Sequence, residues 1–198
     1  MGELPAVIGD IEVDGVRHRI TGARREDVPR LVELLRDDML GREREVDDLA
    51  PYYAAYDAIR RDPAHLLVEV LDDDDTVVAT CQLTLLPGLA RAGAVRLQIE
   101  GLRVARPARG GGIGGAFMDW VVGHARRQGA SLVQLTKDRE RMDARGFYER
   151  AGFVASHIGM KLDLTDDAHL SGAGPARPPG PARRTGSSVL SEGPGTLT

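Results

Sequence analysis

The chain has a single cysteine in 198 residues, Cys81, so no disulfide can close within it and no cysteine-based zinc cluster can be assembled. That thiol content fits a reducing cytoplasm, which is the expected location. Lysine is nearly absent as well: only Lys137 and Lys161 occur, and 26 basic residues are outnumbered by 30 acidic ones, for a net charge of −4. A protein held to nucleic acid by phosphate contacts shows the opposite balance, so a small-molecule partner is expected and nucleic acid is not. Long apolar runs are missing too. No window reaches the roughly 18 uncharged apolar residues of a membrane helix, and Met1-Gly2-Glu3-Leu4-Pro5 has no basic region leading into an apolar stretch. Neither membrane insertion nor export is expected.

What remains is an ordinary globular composition, 42% hydrophobic and 28% charged. A chain of this length buries roughly 70% of the surface its unfolded form exposes, enough for one domain with a real core. Residues 165–198 are set apart: Leu170, Val189, Leu190 and Leu197 are scattered among glycines and prolines, too few to offset the entropy of ordering, so a disordered tail is expected there. Residues 1–16 form an N-terminal extension with a hairpin strand, and residues 17–164 the functional domain.

That domain alternates strands and helices. Ile11, Val13, Val16, His18 and Ile20 alternate around Asp14-Gly15, a dipeptide suited to a two-residue hairpin turn. Val28, Leu31, Leu34 and Leu35 recur at helical spacing behind Glu26 and Asp27, and a second helix follows Pro51 with Tyr53, Tyr56 and Ile59 and ends before Pro63. The runs at 65–71 and 76–86 flank Asp72 to Asp75, whose spacing is that of a solvated turn and not of a calcium loop. The segment 94–105 makes a fourth long strand, with Leu97 and Ile99 on one side and Gln98, Glu100, Leu102 and Val104 on the other.

This strand leads into Arg106-Pro107-Ala108-Arg109-Gly110-Gly111-Gly112-Ile113-Gly114-Gly115, after which Phe117, Met118, Val121, Val122 and Ala125 follow helical spacing. Glycines let the backbone approach a ligand, and the first N–H groups of a helix have no intrahelical acceptor and face outward at the positive end of the dipole. The ligand expected there is a phosphate or pyrophosphate, with Arg109 adding a fixed positive charge. Gly110-x-Gly112-x-x-Gly115 also satisfies the dinucleotide pattern, but antiparallel hairpins precede it and the strand at 131–136 ends without an acidic residue. The Walker pattern fails because no lysine follows the glycines.

Arg109-x-x-Gly112-x-Gly114 resembles the (Gln/Arg)-x-x-Gly-x-(Gly/Ala) signature of the GNAT superfamily of acetyl-CoA-dependent N-acetyltransferases. Phe147-Tyr148-Glu149-Arg150-Ala151-Gly152-Phe153 is similar to the FYxxxGF segment that closes the same fold. The resemblance spans about Arg17 to Leu164. It implies an α/β (α+β) fold, a mixed, mostly antiparallel twisted sheet flanked by about four helices and splayed between strands 4 and 5, here the strands at 94–105 and 131–136. It further implies that the pyrophosphate of acetyl-CoA, the co-substrate, lies on the N–H groups of Arg109, Gly110, Gly111, Gly112, Ile113, Gly114 and Gly115, with the pantetheine arm beside Leu102, Arg103 and Val104. A homodimer is the assembly it suggests.

Acetyl transfer to an amine requires a neutral amine and a proton for the departing thiolate. Glu100, on the strand that carries the cofactor, is the candidate base, with a pKa raised by apolar neighbours; an ordinary solvent-facing strand glutamate is the other reading. Tyr148 corresponds to the family tyrosine that protonates the sulfur, or else it is a core aromatic. Small-molecule members of the family often carry histidine where this chain has Arg145, leaving Arg145 either a contact to the ribose phosphate or an exposed helix charge. His157 is placed in the last strand, as a pocket or a structural residue. His18, His65, His124 and His169 lack metal-ligand spacing, and Trp120 is expected in the core.

Between Glu33 and Asp48 seven acids stand against three arginines, which suggests either a cationic amine acceptor or a solvated linker. The expected activity is therefore N-acetylation of a small-molecule primary amine, possibly cationic, by direct attack in a ternary complex. The alternative is a GNAT-fold module that binds an acyl-CoA as a sensor or regulatory subunit without turnover, which needs the glycine loop but neither proton-transfer group.

Overall fold

The structure, a computed structural model, describes residues 6–37, 39–138, 142–162 and 164. The expected tail at 165–198, with His169, lies outside the described residues. Two units are distinguished, residues 1–157 and 158–198. The described part of the second has no regular secondary structure.

The first unit begins with the hairpin β1 (Val7–Val13) and β2 (Val16–Gly22). Asp14 and Gly15 both take positive φ, +51° and +78°, as the two-residue turn demands. A 3-10 turn at Arg25–Asp27 leads into α1 (Val28–Arg36), with Pro29 in its first turn, where a missing N–H costs nothing. Its residues Val28, Leu31, Val32 and Leu34 are buried. The polar connection that follows holds one short helix, α2 (Met39–Arg44), before α3 (Ala50–Arg61). Strands β3 (His65–Leu71) and β4 (Val77–Pro87) flank the acidic turn, which Asp72 organises by accepting the N–H groups of Asp74 (3.0 Å) and Thr76 (2.8 Å). After a left-handed turn, α4 (Ala90–Gly93), come β5 (Val95–Val104), α5 (Ile113–Arg127), β6 (Leu132–Leu135) and α6 (Met142–Arg150).

The sheet runs β1-β2-β3-β4-β5-β6, antiparallel throughout except for the parallel pair β5–β6. Each face carries its own core. On one, Val68, Cys81, Leu83, Leu97 and Ile99 pack against Phe117, Met118 and Val121 of α5; on the other, Leu71 and Val77 pack against α1 and Tyr56 of α3. Burial pushes the Cys81 thiol well up, so it is a small core residue and not a nucleophile. Trp120 is half-buried as core, stacked on Phe117 and His124 and lying so close over Gly9 that a Cβ there would collide with the indole.

Two expectations are corrected. In β5, Gln82 of β4 pairs with Glu100 and Thr80 with Arg103, so Gly101 and Leu102 together oppose Cys81. This is a bulge, and Gly101 supplies the positive φ of +60° that it requires. The extra residue reverses the side-chain parity: Leu102 and Val104 rejoin the α5-side core with Ile99, while Glu100 keeps the α1–α3 side, now with Arg103. Second, His157 lies in no strand. Residues 151–162 lack strand pairing, and His157 is exposed beside the Ser156 hydroxyl at 2.8 Å.

Glu69, in the middle of β3, is fully buried on the α1–α3 face. Thr21 Oγ1 donates to its Oε1 at 3.1 Å, while Oε2 has no hydrogen-bond partner among the described residues. Burial first, then the negative Asp27, raises its pKa from 4.5 to about 8. The folded protein therefore holds a proton between about pH 4.5 and 8 that the unfolded chain has released. Stability from this group is full below that window, falls as pH rises through it, and is flat above. Thermal unfolding should show the melting temperature dropping from pH 6 to pH 9, and Glu69→Gln should flatten that slope and be the more stable form at pH 9. An unchanged slope in the variant would show that the titration lies elsewhere.

Candidate active site

Main-chain pairing between β5 and β6 covers Arg96 to Ile99 against Leu132 to Leu135 and then stops. β5 continues to Val104, so its edge from Glu100 onward has no strand beside it on the β6 side. This is the splay expected between the strands at 94–105 and 131–136. The glycine loop lies where the open edge ends.

Gly110 and Gly112 take φ of +82° and +87°, a backbone that side chains disfavour, and Gly112 is the N-cap of α5. Around Gly110 and Gly115 a Cβ would meet nothing within 4 Å, so the loop presents bare backbone to open space. The N–H groups that open α5 lack intrahelical acceptors and stand at the positive end of a 15-residue helix. The arrangement suits a pyrophosphate.

Arg109 has a different task from the one its charge suggested. Its Nε donates to the Val104 carbonyl at 2.8 Å and its Nη2 to Asp37 Oδ2 at 2.8 Å, while Arg106 Nε pairs with Asp37 Oδ1 at 2.9 Å. One carboxylate at the end of α1 thus clamps two arginines and ties the loop to both α1 and β5. No local pattern signals this contact, which joins residues 72 positions apart.

The two motifs meet at Gly114. A Cβ there would lie 3.5 Å from Phe147 and 3.6 Å from Val104, so the start of α5, the end of β5 and α6 converge on a position that only a small residue leaves open. Tyr148 is half-buried against the α5-side core, edge-on to Phe147 (5.1 Å) and Phe153 (5.9 Å). α6 ends through Gly152, at φ +86°, whose N–H reaches the Glu149 carbonyl while the Phe153 N–H reaches that of Tyr148. Arg145 is an exposed helix charge paired with Glu149 at 2.8 Å.

Glu100 stands on the opposite side of the strand, exposed, so the apolar shielding expected for it is not present. Across from it lies Gln82, whose Nε2 contacts His65 Nδ1 at 3.2 Å. A polar residue inside the apolar β4 run was the signal that could have singled out Gln82 from sequence. Beside these residues a cavity of about 170 Å³ lies between α1, α3 and the sheet, bordered by Leu31, Leu35, Tyr52, Ile59, Gln82 and Gly101 among others. Several acids that suggested a cationic partner have internal roles: Glu33 pairs with Arg30, Asp47 with Arg36, Asp37 with the loop arginines, and Glu45 accepts the Tyr52 hydroxyl. Among the described residues no cluster of three or more potential metal ligands occurs, and no helix is long and apolar enough to cross a membrane.

A parted sheet whose free edge runs into a glycine-capped helix start is the frame of an acyltransferase. Residues 28–153 match the acetyltransferase (GNAT) family, and the chain belongs to that family. A solved structure described as a transcriptional regulator from Bacillus halodurans C-125 is 38% identical, with a TM-score of 0.70, covering 73% of this chain and 98% of that one. Glucosamine-6-phosphate N-acetyltransferase from Arabidopsis thaliana shares the fold at 19% identity and a TM-score of 0.61, over 74% of this chain and 98% of that one. An aminoalkylphosphonate N-acetyltransferase of Salmonella typhimurium is 40% identical over 61 residues, 31% of this chain and 40% of that protein; the chain thus spans well under half of that curated relative.

Gly112→Asp is expected to abolish acetyl-CoA binding in calorimetry while the far-ultraviolet circular dichroism stays native. A carboxylate would enter a loop suited to a pyrophosphate, on a backbone at φ +87° with Val13 Cγ1 3.1 Å from the new Cβ. Binding within a few-fold of the parent would remove the loop from the site.

Proposed function

We propose that the protein transfers an acetyl group from acetyl-CoA to a primary amine of a small molecule by direct attack in a ternary complex. The observation that carries this reading is the open edge of β5, with Glu100 at its start and the glycine loop at its end. The family uses acetyl-CoA, and the loop has the bare backbone and helix start that its pyrophosphate needs.

In this reading the thioester lies along the β5 edge beside Leu102, Arg103 and Val104, and the amine approaches from the α1–α3 side. Glu100 takes a proton from the ammonium, directly or through water. The nitrogen lone pair then attacks the thioester carbonyl. A main-chain N–H on the unpaired edge holds the charge that develops on the oxygen. The C–N bond forms, the C–S bond breaks, and the Tyr148 hydroxyl delivers a proton to the departing sulfur and regains one from the attacking nitrogen, leaving an amide and free coenzyme A.

One observation favours a second reading. The Bacillus halodurans relative is described as a transcriptional regulator, which suits an acyl-CoA-binding module without turnover. Release of free thiol from acetyl-CoA in the presence of amines separates the two. Amine-dependent release is expected, with Glu100→Gln and Tyr148→Phe each lowering kcat by about 10² to 10⁴ while the KM for acetyl-CoA holds. Parent-like kcat in both variants would overturn the assignments, and tight acetyl-CoA binding with no release would favour the regulator.

A further inference from the structure

The cavity between α1, α3 and the sheet is not needed to hold acetyl-CoA, which the glycine loop and the β5 edge accommodate. It lies on the face that Glu100 shares, bordered by Gln82, the residue paired with Glu100 across β4 and β5. Of its bordering residues Ala55 and Gly101 are exposed, which marks where it meets solvent, and Gly101 adjoins Glu100.

Its walls are hydrocarbon: Leu31, Leu35 and Ile59 from the two helices, Leu67 from β3. The polar side chains that border it are already engaged. Tyr52 donates to Glu45 at 2.8 Å and accepts the Val46 N–H, Tyr56 donates to the Ala23 carbonyl at 3.0 Å, Thr80 donates to the Val68 carbonyl at 2.8 Å, and Gln82 Nε2 is joined to His65. Such walls offer water and charged groups few partners, so a charged group seated here would lose most of its hydration without replacement. Of the acids nearby, Glu33, Asp37 and Asp47 are paired with arginines and Glu45 accepts the Tyr52 hydroxyl. At about 170 Å³ the space is that of a phenyl ring, since an apolar cavity of about 150 Å³ takes up benzene.

We infer that the acceptor is a primary amine with one apolar body no larger than about a phenyl ring, seated between α1, α3 and β4 with its nitrogen at the mouth beside Glu100. The inference rests on the acetyltransferase reading above and narrows it to arylalkyl or branched alkyl amines, against polyamines and aminophosphonates.

The test compares kcat/KM for phenethylamine, spermidine and 2-aminoethylphosphonate in the thiol-release assay. Phenethylamine should lead by at least about tenfold. Ile59→Glu, which lines the pocket with a carboxylate, and Ala55→Phe, which fills it from the exposed rim, should each raise the KM for phenethylamine about tenfold or more and leave the KM for acetyl-CoA unchanged. Ala55→Phe keeps the test decisive if Ile59→Glu fails to fold. Equal or better turnover of spermidine or the phosphonate overturns the inference while the acetyltransferase reading stands. Should no amine be turned over, methyl NMR decides separately: phenethylamine shifting the Leu35 and Ile59 resonances upholds the pocket and sinks the transfer reaction, and no shift overturns the pocket too.

Discussion

Hydrogen bonding between β5 and β6 reaches the Ile99–Leu135 pair and goes no further, although β5 runs on for five more residues. A strand edge left open is a row of donors and acceptors seeking partners, and proteins normally cover or blunt it. Here the edge lies between two packed layers and ends at a glycine loop, so an extended, amide-bearing ligand can complete it as a missing strand would. The positions of the loop, of α5 behind it and of the aromatic helix α6 all follow from where β5 ends. Gly114 records this most directly, since Val104 and Phe147 both close upon it.

The two faces of the sheet divide the work. The α5 side is a dense core in which Phe117, Met118 and Val121 are wholly buried, and it gives the loop a rigid base. The α1–α3 side carries the polar groups: beside a cavity of about 170 Å³ it holds a buried carboxyl at Glu69 and the exposed carboxylate of Glu100. Arginines in this layer act mainly on neighbouring carboxylates. Arg30, Arg36, Arg106 and Arg109 all answer acids within the chain, so a count of local charges overstated the field that a ligand would meet.

Much of the frame was legible in the sequence because it rests on local periodicity and on glycine. The hairpin at Asp14-Gly15, the helices at 28–36 and 50–61, the strands at 65–71, 77–87 and 95–104, and the helix after the loop each show an apolar run or period, or a turn signal, within their own segment. The loop was legible because positive φ leaves few choices of residue. Non-local features were not. The clamp of Asp37 on Arg106 and Arg109 joins α1 to the loop across the chain, and nothing in either neighbourhood announces it. The pocket is built from five separate segments, and its apolar character emerges only once the tyrosine hydroxyls are seen to be engaged. The short helix at 39–44 lies in a polar stretch with too few turns to show a period. His157, expected in a last strand, lies instead among residues that pair with no strand.

Gly101 was visible as a glycine inside a strand, but its effect on parity was not. Because the bulge fits two residues opposite Cys81, β5 is written in two reading frames, one before Gly101 and the other after it. Flattening the bulge without removing a residue would turn everything downstream inside out, sending Leu102 and Val104 to the face of Glu100, whereas deleting Gly101 would leave Leu102 opposite Cys81 and Val104 opposite Ala79. The glycine and the extra residue therefore belong together: a relative that replaces the glycine with a residue averse to positive φ should also be one residue shorter at this point, so that both frames still meet their cores.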